Sequence, residues 1–369
     1  MEMCILGSDN YSEPGCFVFD NSYLTLKITG KKDELNEMRS ILRNRFRMRF
    51  MNDRLLVFGS TSVFLSFINY HQRFSKTAII KDLENLLQSK KVYLNLPHGG
   101  KISLSKPLIM GVINVTDDSF YARSRVLDEK TLEKRVHSMI EDGADIIDIG
   151  AESTRPGSTP VDEQLEIERV IPFIKKIRTF SNIPISVDTY RKRTAQLAID
   201  SGADLINDIS ALRFDKEMGD FAAINSIPVV LMHMKGTPST MQKKPYYSDV
   251  LLEVNDFFTE RIVFAESKGI NRRNLILDPG IGFGKRLKDN LAILNNLDLF
   301  HSFRLPLMLG TSRKSFIGEV LNQKDPMERL AGTMGTTALG VQKGIHIFRV
   351  HDVKENRNIA DLVFNIKKS

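Results

Sequence analysis

From residue 108 onward the chain repeats one pattern eight times, a short apolar run followed by a helix-like stretch. The runs are "LIMGVIN" (108–114), "DIIDIG" (145–150), "PISVDT" (184–189), "DLINDIS" (204–210), "PVVLMHM" (228–234), "LILDPG" (275–280), "PLMLGTS" (306–312) and "HIFRVHD" (346–352). Helical stretches such as "TLEKRVHSMIEDG" (131–143) and "TAQLAIDSG" (194–202) lie between them and end in Gly143 and Gly202, the expected C-terminal stops. Strands alternating with helices point to a parallel sheet covered by helices. The 272 residues from 98 to 369 come close to the ~250 of a (β/α)8 barrel. A doubly wound open sheet is the alternative. It would more often show a Gly-rich dinucleotide turn after its first strand, and "NVTDDSF" is not one. The expected class is therefore α/β, a TIM barrel over 98–369 preceded by a small α+β domain over 1–97.

The break between the two is drawn at "NLPHGGK" (95–101), where Pro97, Gly99 and Gly100 punctuate the chain. Before it, "YLTLKITG" (23–30) and "RLLVFG" (54–59) read as strands. "KKDELNEMRSILRNRF" (31–46), "VFLSFINYHQRF" and "AIIKDLENLLQS" read as helices. The net charge of +7 suggests an anionic partner, or simply a basic solvated surface. The densest basic run is Arg43, Arg45, Arg47 and Arg49. It could touch nucleic acid, but no aromatic-basic binding module accompanies it, so a solvated face is the expectation.

Hydrophobic residues at 42% and charged residues at 26% are ordinary for a soluble globular protein. Cys4 and Cys16 are the two cysteines, without CxxC spacing, so neither a zinc site nor a disulfide framework is indicated. No apolar run approaches ~18 residues, so no membrane span is expected. "MEMCILGSDN" lacks the basic start and apolar core of a signal peptide, so the cytoplasm is the expected location.

In a barrel of this kind the C-terminal ends of the strands and the loops after them build the active site. Read in that order, the ends carry Asn114, Thr116, Asp117, Asp118 and Ser119; then Thr154 and Arg155; Asp188 and Thr189; Asn207 and Asp208; Met232 and His233; Asp278; Thr311, Ser312, Arg313 and Lys314; and Arg349, His351 and Asp352. Any one of these could be a cap or turn former. Asp188, for instance, could cap the helix after it. Together they place polar groups inside apolar runs on every strand, where burial without partners costs a few kcal/mol each. A polar ligand that pairs with them is the simpler account. Asp188, Asn207, Asp278 and Lys314 suit a flat heterocycle with several N–H donors and a carbonyl, because a carboxylate accepts two parallel N–H bonds. Arg349, His351 and the first loop suit phosphate, with Asn114 or Asp118 offering oxygen to Mg2+. His351 also has a core reading, as a hydrogen-bonded structural histidine.

These residues, in this order, resemble dihydropteroate synthase of the folate pathway. The motifs are "MGVINVTDDSF", "DIGAESTRPGS", "SVDT", "INDIS", "LMHMKGTP", "LDPGIGFGK", "GTSRKSFIG" and "RVHDV". The resemblance spans about 106 to 366 and touches every strand. It implies a transferase that joins (7,8-dihydropterin-6-yl)methyl diphosphate to 4-aminobenzoate and releases pyrophosphate in an SN1-like substitution. By resemblance, Thr154, Asp188, Asn207, Met232, Asp278, Phe283, Lys314, Arg349, Val350 and His351 bind the pterin diphosphate. Asp278, Lys314, Arg349 and His351 carry the catalysis. Thr154, Arg155, Pro156 and Ser312 form the aminobenzoate side, and Asn114 holds Mg2+. The substrates are small molecules rather than nucleic acid or membrane, and a homodimer is implied.

Two departures stand in the first loop. Asp117 replaces the usual Pro, which loosens the backbone, and "YARSRVLD" replaces the usual Gly pair. Residues 1–97 have no counterpart in the minimal enzyme. The rival readings are a pterin-dependent, cobalamin-linked methyltransferase, which would not need "STRPGS" or "RVH", and a non-catalytic binding protein on a decayed barrel.

Overall fold

The structure is a computed structural model that describes residues 2–5, 23–29, 32–33, 36, 39, 46–51, 54–60, 93–115, 125–151 and 161–368. All eight apolar runs are strands of one parallel sheet: β7 (Leu108–Asn114), β8 (Ile146–Gly150), β9 (Ile185–Asp188), β10 (Leu205–Asp208), β11 (Val229–Met232), β12 (Leu275–Asp278), β13 (Met308–Leu309) and β14 (Ile347–Val350). Each pairs with its sequence neighbour except β12 with β13, and β14 returns to β7. The circuit closes through a parallel bridge between Leu277 and Leu307. This is a (β/α)8 TIM barrel.

Helices α1 (Arg125–Glu141), α2 (Glu163–Arg178), α3 (Lys192–Asp200), α4 (Met218–Ile224), α5 (Val250–Ser267), α6 (Leu287–Asn295), α7 (Ser315–Leu321), α8 (Leu330–Gln342) and α9 (Val353–Lys368) follow the strands. Outward-facing strand residues such as Ile109, Ile147, Val187, Leu231 and Phe348 pack with inward-facing helix residues in one buried cluster.

The other strand face fills the barrel. Leu108, Met110, Ile146, Leu205, Val230, Ile276, Met308 and Ile347 form a second apolar cluster, the barrel floor. Strand side chains alternate with period 2. The next inward position above this floor is therefore Asp148 on β8, Asn207 on β10, Met232 on β11, Asp278 on β12 and Arg349 on β14. The apolar floor gives way to polar groups at a single step along the strands.

The floor is closed from below by a hairpin. β5 (Tyr93–Asn95) and β6 (Lys101–Ser103) pair antiparallel, and Leu94, Ile102 and Leu104 join the floor cluster. The Pro/Gly-rich stretch at 95–101 is the turn of that hairpin, so the boundary drawn at 97/98 falls inside it.

Upstream, β1 (Glu2–Ile5), β2 (Tyr23–Thr29), β3 (Arg47–Met51) and β4 (Arg54–Ser60) form an antiparallel sheet in the order β1-β2-β4-β3. The strands expected at 23–30 and 54–59 are present. The helices expected at 63–74 and 78–89 lie outside the described residues. Two arginines of the basic run turn toward the barrel. Arg47 donates to Asn295 O at 2.9 Å and lies 3.6 Å from the Asp298 carboxylate, and Arg49 pairs with Asp249. Arg43 and Arg45 lie outside the described residues.

Candidate active site

The mouth of the barrel gathers ionisable groups from strands far apart in sequence. Arg349 lies at its centre. Its Nε donates to Asp148 Oδ2 at 2.7 Å and its terminal nitrogen to Asp188 Oδ2 at 2.8 Å. Burial works against the charge, but Asp148 and then Asp188 hold the guanidinium above its ordinary range. Asn207 donates to Asp148 Oδ2 at 3.4 Å. Asp148 Oδ1, Asn207 Oδ1 and Ser186 Oγ are closed off from solvent and have no hydrogen-bond partner among the described residues. Orphaned buried acceptors at one level of the barrel are costly unless something else pairs with them.

Asp278 and Lys314 stand beside this group. A Cβ placed on Gly310 would lie 3.8 Å from Arg349 Cβ, 3.9 Å from Lys314 Nζ and 4.0 Å from Asp278 Oδ2, so the three converge on one small volume. Asp278 Oδ1 accepts from Gly280 N at 2.8 Å. Burial pushes the Asp278 carboxyl up, and Lys314 opposes that push most strongly. The Lys314 ammonium donates to Ile281 O and sits 4.6 Å above the Phe283 ring. Burial brings Lys314 down to about 8 although Asp278 pulls the other way. Met232 and Phe283 belong to an apolar cluster with Ile209, Met234 and Met241, against which Tyr190 packs. Charged edges on one side and a Met/Phe wall on the other make a slot for a flat, polar-edged ring.

His351 and Ser312 form the next unit. Ser312 Oγ accepts from His351 N at 3.1 Å and lies 3.0 Å from His351 Nδ1. Asn114 is half-buried at the end of β7, in register with Gly150. Val350 faces the other way. Its side chain lies in the buried cluster between strands and helices, so any contact with a ligand would fall to its backbone. Thr154, Arg155, Pro156 and Asp118 lie outside the described residues, as do Thr116, Asp117 and Ser119.

Other rim residues are engaged locally. Asp208 accepts from Ser210 N and Leu212 N, both at 2.7 Å, and so closes its own turn. Arg313 forks onto Asp352. His233 sits behind the rim, its Nδ1 2.8 Å from Lys285 Nζ. Sequence reasoning on strand ends missed Asp148 and Lys285. The signal for Asp148 was present, an acid in the middle of "IIDIG" where a buried strand has no use for an unpaired charge.

The chain is similar to known proteins of one family. The pterin binding enzyme family matches residues 110–351. The dihydropteroate synthase of Escherichia coli K12 is 45% identical over 257 residues, which is 70% of this chain and 90% of that protein. A crystal structure of Yersinia pestis dihydropteroate synthase with a sulfonamide drug superposes with a TM-score of 0.71 at 38% identity, covering 75% of this chain and 100% of that one. Xanthomonas albilineans dihydropteroate synthase with 4-aminobenzoic acid gives a TM-score of 0.71 at 37% identity, over 76% and 100% of the two chains.

Proposed function

Because the chain belongs to the dihydropteroate synthases, pterin-binding transferases that condense pterin diphosphate with aminobenzoate, we propose how its barrel mouth divides that reaction. The methyltransferase alternative is set aside. Asn207, Asp278 and Lys314 take the polar edge of the pterin, and Met232 and Phe283 line the adjoining wall. Asp188 contributes to the ring site and, with Asp148, orients Arg349 toward the diphosphate. The observation that carries this reading is the replacement of the apolar floor by Asp148, Asn207, Asp278 and Arg349 at one inward step of the strands.

A hydrogen bond donated by Ser312 Oγ to His351 Nδ1 would keep the imidazole proton on Nε2, where it can be offered to a phosphate oxygen. Arg349 and His351 then stabilise charge that develops as the C–O bond breaks. An arylamine is a weak nucleophile, so bond breaking leads and the dihydropterin methylene carries the developing cation. Asp278, held on the ring edge, offsets that cation without taking a proton from it. No covalent bond to the enzyme is needed, because positioning and electrostatics supply the acceleration.

The residues fit a role for Mg2+. Asn114 offers one neutral oxygen, and among the described residues no group of three or more His, Cys, Asp or Glu is arranged to hold a metal ion. Magnesium commonly takes one or two protein oxygens and fills its sphere with water and phosphate. Bound at Asn114, it would neutralise charge on the departing pyrophosphate.

Thr154, Arg155, Pro156 and Ser312 are proposed for the aminobenzoate side, and Asp118 as a further oxygen near the metal. The same reading places a homodimer in the cytoplasm. Among the described residues no helix is long and apolar enough to cross a membrane. Val320 and Leu321 on α7 and Leu362 and Ile366 on α9 are exposed apolar side chains of the kind a dimer covers.

The test is pyrophosphate release on mixing both substrates with Mg2+, in the wild type and in Arg349→Ala and Asp278→Ala. Arg349→Ala should weaken the diphosphate ester far more than free pterin, and Asp278→Ala should weaken both. Equal losses for the two ligands in Arg349→Ala would contradict the division of the site.

A further inference from the structure

Behind the proposed pterin wall lies a buried group that this mechanism leaves unused. Lys285 ends "DPGIGFGK" and folds back beneath its own loop. Its Nζ donates to Gly280 O at 2.8 Å, to Phe283 O at 3.1 Å and to His233 O at 3.2 Å, and it lies 2.8 Å from His233 Nδ1. One amine thus draws together carbonyls from two loops, the one after β12 and the one after β11.

The backbone reaches this arrangement through glycine. At Gly280 (φ +62°) a Cβ would lie 2.0 Å from His233 O, and at Gly284 (φ +62°) 2.4 Å from Lys235 O. Residues 280–284 therefore lie directly on the backbone of 233–235, in a left-handed conformation that side chains resist. Tyr247 Oη donates to Gly284 O at 2.7 Å and holds the loop from the far side.

The opposite face of the same short loop meets the site. Gly280 N donates to Asp278 Oδ1 at 2.8 Å. Ile281 O accepts from Lys314. The Phe283 ring lies under Lys314 Nζ and packs with Met232 and Met234. Whatever sets the height of residues 280–284 above the 233–235 backbone sets the position of these groups.

We propose that Lys285 is a positioning residue for the pterin half of the reaction, holding the 280–284 loop through the Gly280, Phe283 and His233 carbonyls so that Asp278, Lys314 and Phe283 meet the pterin in register. The inference rests on the pterin assignment made above. Without the amine the three carbonyls face each other with no donor between them, and the loop lifts from its bed.

The experiment is Lys285→Met, which keeps chain length and bulk but removes the donors. KM for pterin diphosphate and Kd for free pterin should each rise about tenfold or more, the equivalent of about one net hydrogen bond. KM for 4-aminobenzoate should stay within about twofold, because that substrate meets other loops. A lysine that merely supports the fold would lower the active fraction, and so kcat, with both KM values unchanged. That result, or a parallel rise in both KM values, overturns the proposal.

If Lys285→Met is recovered unfolded, Lys285→Gln, which retains amide donors at shorter reach, is read in the same way. If neither folds, the residue is structural and the proposal falls. Wild-type binding of free pterin is measured alongside. Its absence would overturn the pterin assignment itself, whereas wild-type binding matched by the variant overturns only the role of Lys285.

Discussion

Raising the pH should switch off pterin capture through Lys314 while that residue's effect on stability runs the opposite way. Burial brings the Lys314 ammonium down to about 8. At pH 7 roughly nine-tenths of the free enzyme then carries the charge, and at pH 9 roughly one-tenth, if the group titrates independently. The value of kcat/KM reports groups of the free enzyme, so with pterin diphosphate as the varied substrate it should fall about tenfold between these two pH values. In an unfolded chain lysine keeps its proton to about pH 10.4. Between about pH 8 and that value the unfolded chain binds more protons than the folded one, so the contribution of Lys314 to stability rises with pH. Alkaline unfolding would instead lower activity and stability together.

The assay pairs initial rates at subsaturating pterin diphosphate from about pH 6 to about pH 9.5 with urea midpoints at the same pH values. Lys314→Arg supplies the control, because a guanidinium stays charged throughout. It should lose the limb near pH 8 even though its different shape lowers the plateau. A flat profile to pH 9, or an unchanged limb in Lys314→Arg, would refute the reasoning.

Three further outcomes follow from the same structure. Asp148→Asn leaves Asp188 as the one carboxylate hydrogen-bonded to Arg349 and turns a buried ion pair into a bond to a neutral amide oxygen, so the urea midpoint should report a loss of about 1–3 kcal/mol. Removing residues 1–97 takes away Leu94, which is fully buried in the barrel floor. That truncation should be about 2–5 kcal/mol less stable than one ending at residue 92, as chemical denaturation of the pair would show. Arg49 and Asp249 are each about one-third exposed, at 31% and 35%. A double-mutant cycle on their alanine variants should return a coupling of about 0.2–1 kcal/mol, and a value above that range would refute the reading of a weak, solvent-screened pair.

Much of the barrel was legible because each strand is a short apolar run and each run ends in residues that a buried strand cannot use. Asn207, Asp278 and Arg349 stood out for that reason, and the structure brings them to one level. What the sequence could not show is how such groups pair. Arg349 meets Asp148 and Asp188, which lie 201 and 161 residues away in the chain, and no local pattern encodes such a contact. Asp208 was drawn into the rim by its neighbour Asn207, but alternation along the strand turns it to the other face, where it closes a turn. Pro97, Gly99 and Gly100 signal a change of direction, and that signal is the same for a linker as for the hairpin turn found there. Lys285 sat at the end of a recognised motif, yet its task depends on carbonyls, which every residue carries.

The barrel's thinnest joint lies between β12 and β13. β13 is two residues long, and Pro306 before it has no N–H to extend the ladder. Across this joint the strands meet through the Leu277–Leu307 bridge and a bond from Leu277 N to Pro306 O at 2.9 Å. Asp278 stands on one side of the seam, and Ser312 and Lys314 on the other. A ligand that touches both sides acts as a staple: breathing of the seam and loss of the ligand become one coupled event. Slowed amide exchange at Leu277 on ligand binding would be its signature, and substitutions that loosen the seam would shorten ligand residence without altering a single contacting side chain.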